Sequence, residues 1–281
     1  MRLLGAPARH GRFGWNAIGL VLFAVMVFPV FWMVSTAFKN NDQINSFNPV
    51  WLPSHPILSH FTDAMHRPNF WIDVKNSVIV VVATVVISLV ISFFAALALA
   101  KYRFTGRKLF IVLVIGIQML PQAGLIIPLY VVLARHNQVN KLSGLILVYL
   151  TFALPFCVWT LRGFLLGIPK DLEEAAMVDG SSRLGAFVRI LLPLVAPGLV
   201  ATSVFAFITS WNEYIFATTL LHDNDKQTIT VFLSLMYGGA RFVDWGAIMA
   251  ASTMVAIPVV IFFLLVQRRI AFGLTVGAVK G

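Results

Sequence analysis

Six stretches of this chain are long and apolar enough to cross a bilayer, whose ~30 Å hydrocarbon core needs about 20 helical residues. They cover about 14–38, 76–100, 109–134, 142–162, 194–221 and 246–267. The only charges inside them are Arg162, at the end of the fourth, and Glu213 in the fifth. Composition agrees: 59% of the 281 residues are hydrophobic and 11% are charged, against roughly 25% charged in a soluble domain. A soluble globule would have to expose large apolar patches to carry that load. The single cysteine, Cys157, lies in an apolar run and reads as a small buried hydrophobe, not as a redox group. The expected fold is an all-α membrane protein, a single transmembrane domain over 1–281 with six helices.

The basic residues sort by loop. With six spans both termini share a side. That side holds 14 of the 21 Lys and Arg and four of the eleven acidic residues, a net +10. The opposite side holds the other seven basic residues and six acidic ones, a net +1. Lys and Arg gather in cytoplasmic loops, so both termini are expected in the cytoplasm. The net charge is then a matter of topology, with no nucleic-acid partner implied. The Arg-bearing start and the trio Ser35-Thr36-Ala37 would suit a secretory signal, but the apolar run is too long for one. It reads as a retained helix.

Within the spans three patterns stand out. Thr84, Ser88, Ser92, Ala96 and Ala100 recur every fourth residue, a small-residue face for close helix packing. The third span carries Gln118, Pro121, Gln122 and Pro128. Proline should kink it, and the two glutamines, four apart, should share a face. They line a cavity or bond to neighbouring helices. The fifth span ends in Trp211-Asn212-Glu213-Tyr214, with Glu213 about 12 Å deep at 1.5 Å per residue. A carboxylate there is a functional-site candidate by default or a structural acceptor for nearby helices. Both roles are open. His55, His60 and His66 share one outer loop and read as solvated, not as a metal site.

The cytoplasmic segment 163–193 is structured. Pro169 suits a first helical turn, and Asp171, Glu173 and Glu174 favour the positive end of the helix dipole. Gly180 supplies a stop, and Ser181 or Ser182 can cap a second helix from Arg183 to about Leu192, with Leu184, Phe187, Val188 and Leu191 at helical spacing. Pro193 then marks re-entry to the membrane, where the fifth span starts. The exposed small pair Ala175-Ala176 points to docking.

These residues carry a resemblance. Glu174-Ala175-Ala176, three residues, Gly180, nine residues, then Ile190-Leu191-Leu192-Pro193 resembles the EAA signature of permease subunits in binding-protein-dependent ABC importers. Lys101-Tyr102-Arg103-Phe104 with Gly106-Arg107, Pro155-Phe156, Trp211-Asn212-Glu213-Tyr214 and the terminal Gly277-Ala278-Val279-Lys280-Gly281 resemble its carbohydrate branch, the maltose-type permeases. Met177-Val178, Ser181 and Tyr214 depart slightly from that pattern.

The resemblance implies a type I importer permease fold, with the helix at 168–180 seated in a cleft of an ATPase subunit. The contacts it implies come from Glu173, Glu174, Ala175, Ala176, Asp179, Gly180, Ile190 and Pro193. Implied partners are a companion permease, two ATPase subunits, an extracytoplasmic solute-binding (lipo)protein and membrane lipid, in a bacterial cytoplasmic membrane. The chain has no Gly-x4-Gly-Lys-Ser/Thr phosphate loop, so ATP and Mg belong to the partner subunits and this chain is not itself an enzyme. Gln118, Gln122, Asn212, Glu213 and Tyr214 are the candidates for the substrate path. The expected cargo is a di- or oligosaccharide, the alternatives being glycerol phosphate, an amino acid or a peptide. An ion-coupled carrier using Glu213 is the competing mechanism.

Overall fold

The computed structural model describes residues 9–238 and 243–278, with side chains for 14–238 and 243–267. Arg2, Arg241 and Val279-Lys280-Gly281 lie outside the described residues, as do the side chains of Arg9, Arg12, Arg268, Arg269, Gly277 and Ala278. In chain order the helices are α1 (Arg9–Ala37), α2 (Asn41–Ile44), α3 (Ser59–His66), α4 (Phe70–Lys101), α5 (Arg107–Gln118), α6 (Gln122–Arg135) and α7 (Leu142–Leu166). There follow α8 (Asp171–Val178), α9 (Arg183–Ala186), a π-helical turn (Phe187–Leu191), α10 (Leu192–Trp211), α11 (Ile215–Leu220), α12 (Ile229–Gly238) and α13 (Trp245–Ala278). No strand occurs among the described residues. Five helical segments meet the length and apolarity needed to span a membrane, and α5 with α6 would make a sixth as one broken span.

The chain divides into two compact units. One comprises the chain up to Pro68 together with Leu235–Ala256, and the other Asn69–Ser234 with the chain from Ile257 on. In the larger unit α4, α7 and α10 pack on one another. The small-residue face of α4 is the reason: Thr84, Ser88, Ser92 and Ala96 are fully buried. Small side chains let helices approach closely where lipid supplies no hydrophobic drive. Ala153 and Cys157 of α7 and Ala206 of α10 continue that seam, which places Cys157 as packing. One end of it is tied by side chains: Asn76 Nδ2 donates to the carbonyls of Asp225 and Gln227, and Ser77 Oγ accepts from Ile229 N–H.

In four places the structure departs from the sequence reading. The second span starts at Phe70, so Asp73 and Lys75 belong to its helix. The third span is broken, not kinked, with α5 and α6 meeting at 106°. Pro121 has no N–H to donate to the Ile117 carbonyl, and a proline disfavours the helical region for the residue before it, here Leu120. Met119 and Leu120 close on the Gly116 and Ile117 carbonyls as tight turns, and Pro121 itself is extended. Gln118 and Gln122 therefore end one helix and begin another, and do not share a face. The fifth span likewise breaks after Trp211, with α11 as a separate short helix.

The fourth departure lies before Pro193, where no new start occurs. Helix runs from Arg183 to Trp211 through the π turn, in which Leu192 N–H reaches the Phe187 carbonyl five residues back. A π turn is one way to accommodate a proline that cannot donate to the residue four before it.

Candidate functional site

The segment 163–193 forms a compact bracket. Leu191 and Val195 pack against Phe93 and Ala96 of α4 and Leu161 and Leu165 of α7, with Ile168 and Phe187 beside them. From that base α8 begins with Asp171, Glu173 and Glu174 in its first turn, where carboxylates favour the helix dipole. Its end is a Schellman turn: Ser181 N–H reaches the Ala176 carbonyl at 2.9 Å and Gly180 N–H the Met177 carbonyl at 3.1 Å. The turn requires Gly180 at φ +89°, a left-handed conformation that costs a side-chain-bearing residue about 1–2 kcal/mol. Ser182, not Ser181, caps the next helix, accepting from Gly185 N–H at 3.1 Å.

The loop residues named from sequence then separate by role. Glu174, Ala175 and Asp179 are exposed, whereas Ala176 is only 8% exposed, because the Gly180 turn folds the chain back over it. Only half of the small pair is therefore available for docking. Pro193 is exposed at the start of α10, and Ile190 is half-buried within the π turn. Glu173 is taken by its own chain: Lys101 Nζ at the end of α4 lies 2.5 Å from its Oε1, with both side chains largely buried. Met177, Val178 and Leu184 add an exposed apolar rim, Val178 at 87%. Spacing alone could not find the Lys101–Glu173 pair, since the partners are 72 residues apart.

That ion pair yields a first prediction. Lys101→Glu sets two carboxylates against each other at the root of α8 and should lower the melting temperature of the purified protein by several degrees. The double change Lys101→Glu/Glu173→Lys should restore most of it. A double variant no more stable than the single one would reject the pair as a strut.

A second constellation surrounds the break after Trp211. A cavity of about 390 Å³ is lined by Gln122, Tyr149, Phe152, Ser210, Asn212, Glu213 and Tyr214 among others. Gln118 is not among its walls. Glu213 is half-buried. Its Oε1 accepts from Phe216 N–H at 2.8 Å, and its Oε2 accepts from Ala217 N–H at 3.1 Å and from the Tyr149 hydroxyl at 2.9 Å. The carboxylate thus satisfies the first free N–H groups of α11 and pins that helix to α7. Its backbone carbonyl accepts from Thr230 Oγ1 at 2.8 Å.

The remaining walls combine aromatic faces with free polar edges. Asn212 is exposed, its Nδ2 bonded to the Ile208 carbonyl at 3.0 Å. The Tyr214 hydroxyl accepts from Ser234 Oγ at 3.0 Å, leaving the ring 40% exposed. Ser210 Oγ is buried without a partner. Tyr149, Phe152 and Ser210 are among the wall residues the sequence reading missed. Tyr149 sits in an otherwise apolar run and signals nothing until Glu213, 64 residues on, is brought against it. His55, His60 and His66 do not behave alike. His60 is only 5% exposed and its Nε2 donates to the Lys39 carbonyl at 2.9 Å, which corrects the solvated reading for that residue.

Comparison with known proteins gives a consistent result. Residues 88–276 match the family described as binding-protein-dependent transport system inner membrane component. The chain is 45% identical to the diacetylchitobiose uptake system permease protein DasC of Streptomyces coelicolor, over 96% of this chain and 98% of that one. It is 35% identical to the trehalose/maltose transport system permease protein MalG of Thermococcus litoralis, over 94% and 95%. A crystal structure of a bacterial ABC transporter involved in import of the acidic polysaccharide alginate superposes with a TM-score of 0.80 at 24% identity. That match covers 94% of this chain and 99% of the other, and gives the fold as a type I importer permease. The chain is a multi-pass membrane protein that belongs to the binding-protein-dependent transport system inner membrane components.

Proposed function

We propose that this chain is the membrane-spanning permease subunit of an ATP-driven importer for a di- or oligosaccharide, delivered by an extracytoplasmic binding protein. The observation that carries the reading is the bracket at 163–193. A short helix closed by the Gly180 turn and anchored through Lys101–Glu173 leaves Glu174, Ala175 and the Val178 rim open. An ATPase subunit seats on that rim, and ATP with Mg is held there, not on this chain. Two ATPase subunits and a companion permease complete the assembly, and both termini lie on the ATPase side.

The cargo reading rests on the cavity and on the relatives' named substrates, diacetylchitobiose and trehalose/maltose. Sugars present hydroxyls around a ring with apolar faces. Gln122, Asn212 and Ser210 supply hydrogen-bonding groups, and Tyr214 and Phe152 supply flat walls. An ion-coupled site at Glu213 is disfavoured because both carboxylate oxygens are already engaged by this chain.

The test is uptake of a labelled disaccharide by the reconstituted complex carrying Asn212→Ala or Tyr214→Ala. Lost wall contacts of about 1–2 kcal/mol would cost about ten-fold in uptake at limiting sugar, with expression and complex assembly unchanged. Unaltered uptake in both variants would remove this cavity from the path.

A further inference from the structure

The smaller unit contains a second cavity, of about 370 Å³, in which Trp32, Thr36, Lys39, Gln43, Trp245 and Met249 form walls. Lys39 stands two residues beyond the end of α1 and is 2% exposed. Its ammonium has one long hydrogen bond, 3.4 Å to Thr36 Oγ1, and lies 3.9 Å over the Trp32 ring. Trp51 braces that ring edge-on at 5.9 Å. Burial pulls the Lys39 ammonium below its usual range.

All eleven acidic residues are among the described ones. Three ion pairs form there, Arg67–Asp244, Lys101–Glu173 and Lys226–Asp223, so no carboxylate answers Lys39. A buried cation without a counter-charge is costly to fold around. A second unanswered group lines the same cavity. Gln43 donates through Nε2 to Ser54 Oγ at 2.5 Å and through its backbone N–H to Asn40 Oδ1 at 3.0 Å, yet its buried Oε1 has no donor.

We propose that this cavity binds the headgroup of a hydroxyl-bearing anionic phospholipid, with the phosphate on Lys39 Nζ and a headgroup hydroxyl donating to Gln43 Oε1. The cavity supplies one cation and one buried acceptor, which is the complement of a phosphate diester carrying a glycerol. A soluble glycerol phosphate shares that chemistry, but the surroundings favour the lipid. The site begins where a membrane-spanning helix ends, and no residue in the most apolar window of α1 is buried within the chain. Trp32 and Trp245 are the ring type that settles at membrane interfaces. Met249 and Ile44 continue the wall as apolar surface.

The experiment is native mass spectrometry of the purified, detergent-solubilised complex titrated with phosphatidylglycerol, phosphatidylcholine and glycerol 3-phosphate. The wild type should retain phosphatidylglycerol about ten-fold better than phosphatidylcholine. Lys39→Met and, separately, Gln43→Leu should each lose about that factor, and Lys39→Arg should keep most of it. Excess glycerol 3-phosphate should not displace the lipid. Equal retention of both lipids, or wild-type retention in both Lys39→Met and Gln43→Leu, overturns the site. Displacement by glycerol 3-phosphate overturns the lipid as occupant. Should Lys39→Met fail to assemble, Gln43→Leu alone decides.

Discussion

Replacing Gly180 with proline is expected to reduce transport by the assembled importer to background while the chain still inserts and assembles in the membrane. Proline fixes φ near −65°, and Gly180 needs +89°. Proline also removes the N–H that reaches the Met177 carbonyl, so both bonds of the Schellman turn are lost together. Helix α8 then cannot be followed at once by the Ser182 cap and α9, and the face carrying Glu174 and Val178 is redirected. The spans are untouched, because the turn lies outside them. Gly180→Ala is the graded control. It keeps the N–H and pays only the left-handed penalty of about 1–2 kcal/mol, so uptake should fall several-fold without vanishing. Binding-protein-stimulated ATP hydrolysis and uptake, measured on the same preparations, check both variants. Normal transport by Gly180→Pro would remove the bracket from the coupling route.

The second large effect is expected at Glu213. Alanine there leaves the N–H groups of Phe216 and Ala217 and the hydroxyl of Tyr149 without their acceptor, and all three residues are nearly buried. Each buried donor left unpaired costs roughly 1–3 kcal/mol, less where cavity water replaces the oxygen. Helix α11 should detach from α7, lowering the thermal stability of the complex and abolishing uptake. Glu213→Gln keeps one acceptor oxygen and should fall between. Tyr149→Phe removes a donor and leaves no orphan on α11, so it should be mild. The ordering Ala worse than Gln worse than Tyr149→Phe, in melting temperature and in uptake, separates this role from an ion-binding one. An ion site would instead show wild-type stability in Glu213→Gln with transport lost.

How far the sequence could be read follows from the range of each interaction. The stripe Thr84 to Ala96 and the Gly180 stop are local patterns, written at spacings of four or within one turn, and both appear as read. Proline at 121 was visible too, but the extent of the break was not. A kink becomes a 106° turn only if neighbouring structure gives α6 somewhere to go. The pairs Lys101–Glu173 and Tyr149–Glu213 join residues 72 and 64 positions apart. No periodicity encodes them, since each depends on which helices become neighbours. The π turn before Pro193 replaced an expected helix start for the same reason. Contacts of Leu191 and Val195 with α4 and α7 hold the helix continuous where proline alone would favour a fresh beginning.

The most direct measurement is disaccharide uptake into proteoliposomes containing this chain, its companion permease and the ATPase, with binding protein on the opposite side. Accumulation should require ATP on the ATPase side and binding protein on the other, and should persist when proton and sodium gradients are collapsed. Accumulation by this chain alone, driven by an ion gradient without ATP, would contradict its assignment as the permease subunit of an ATP-driven importer.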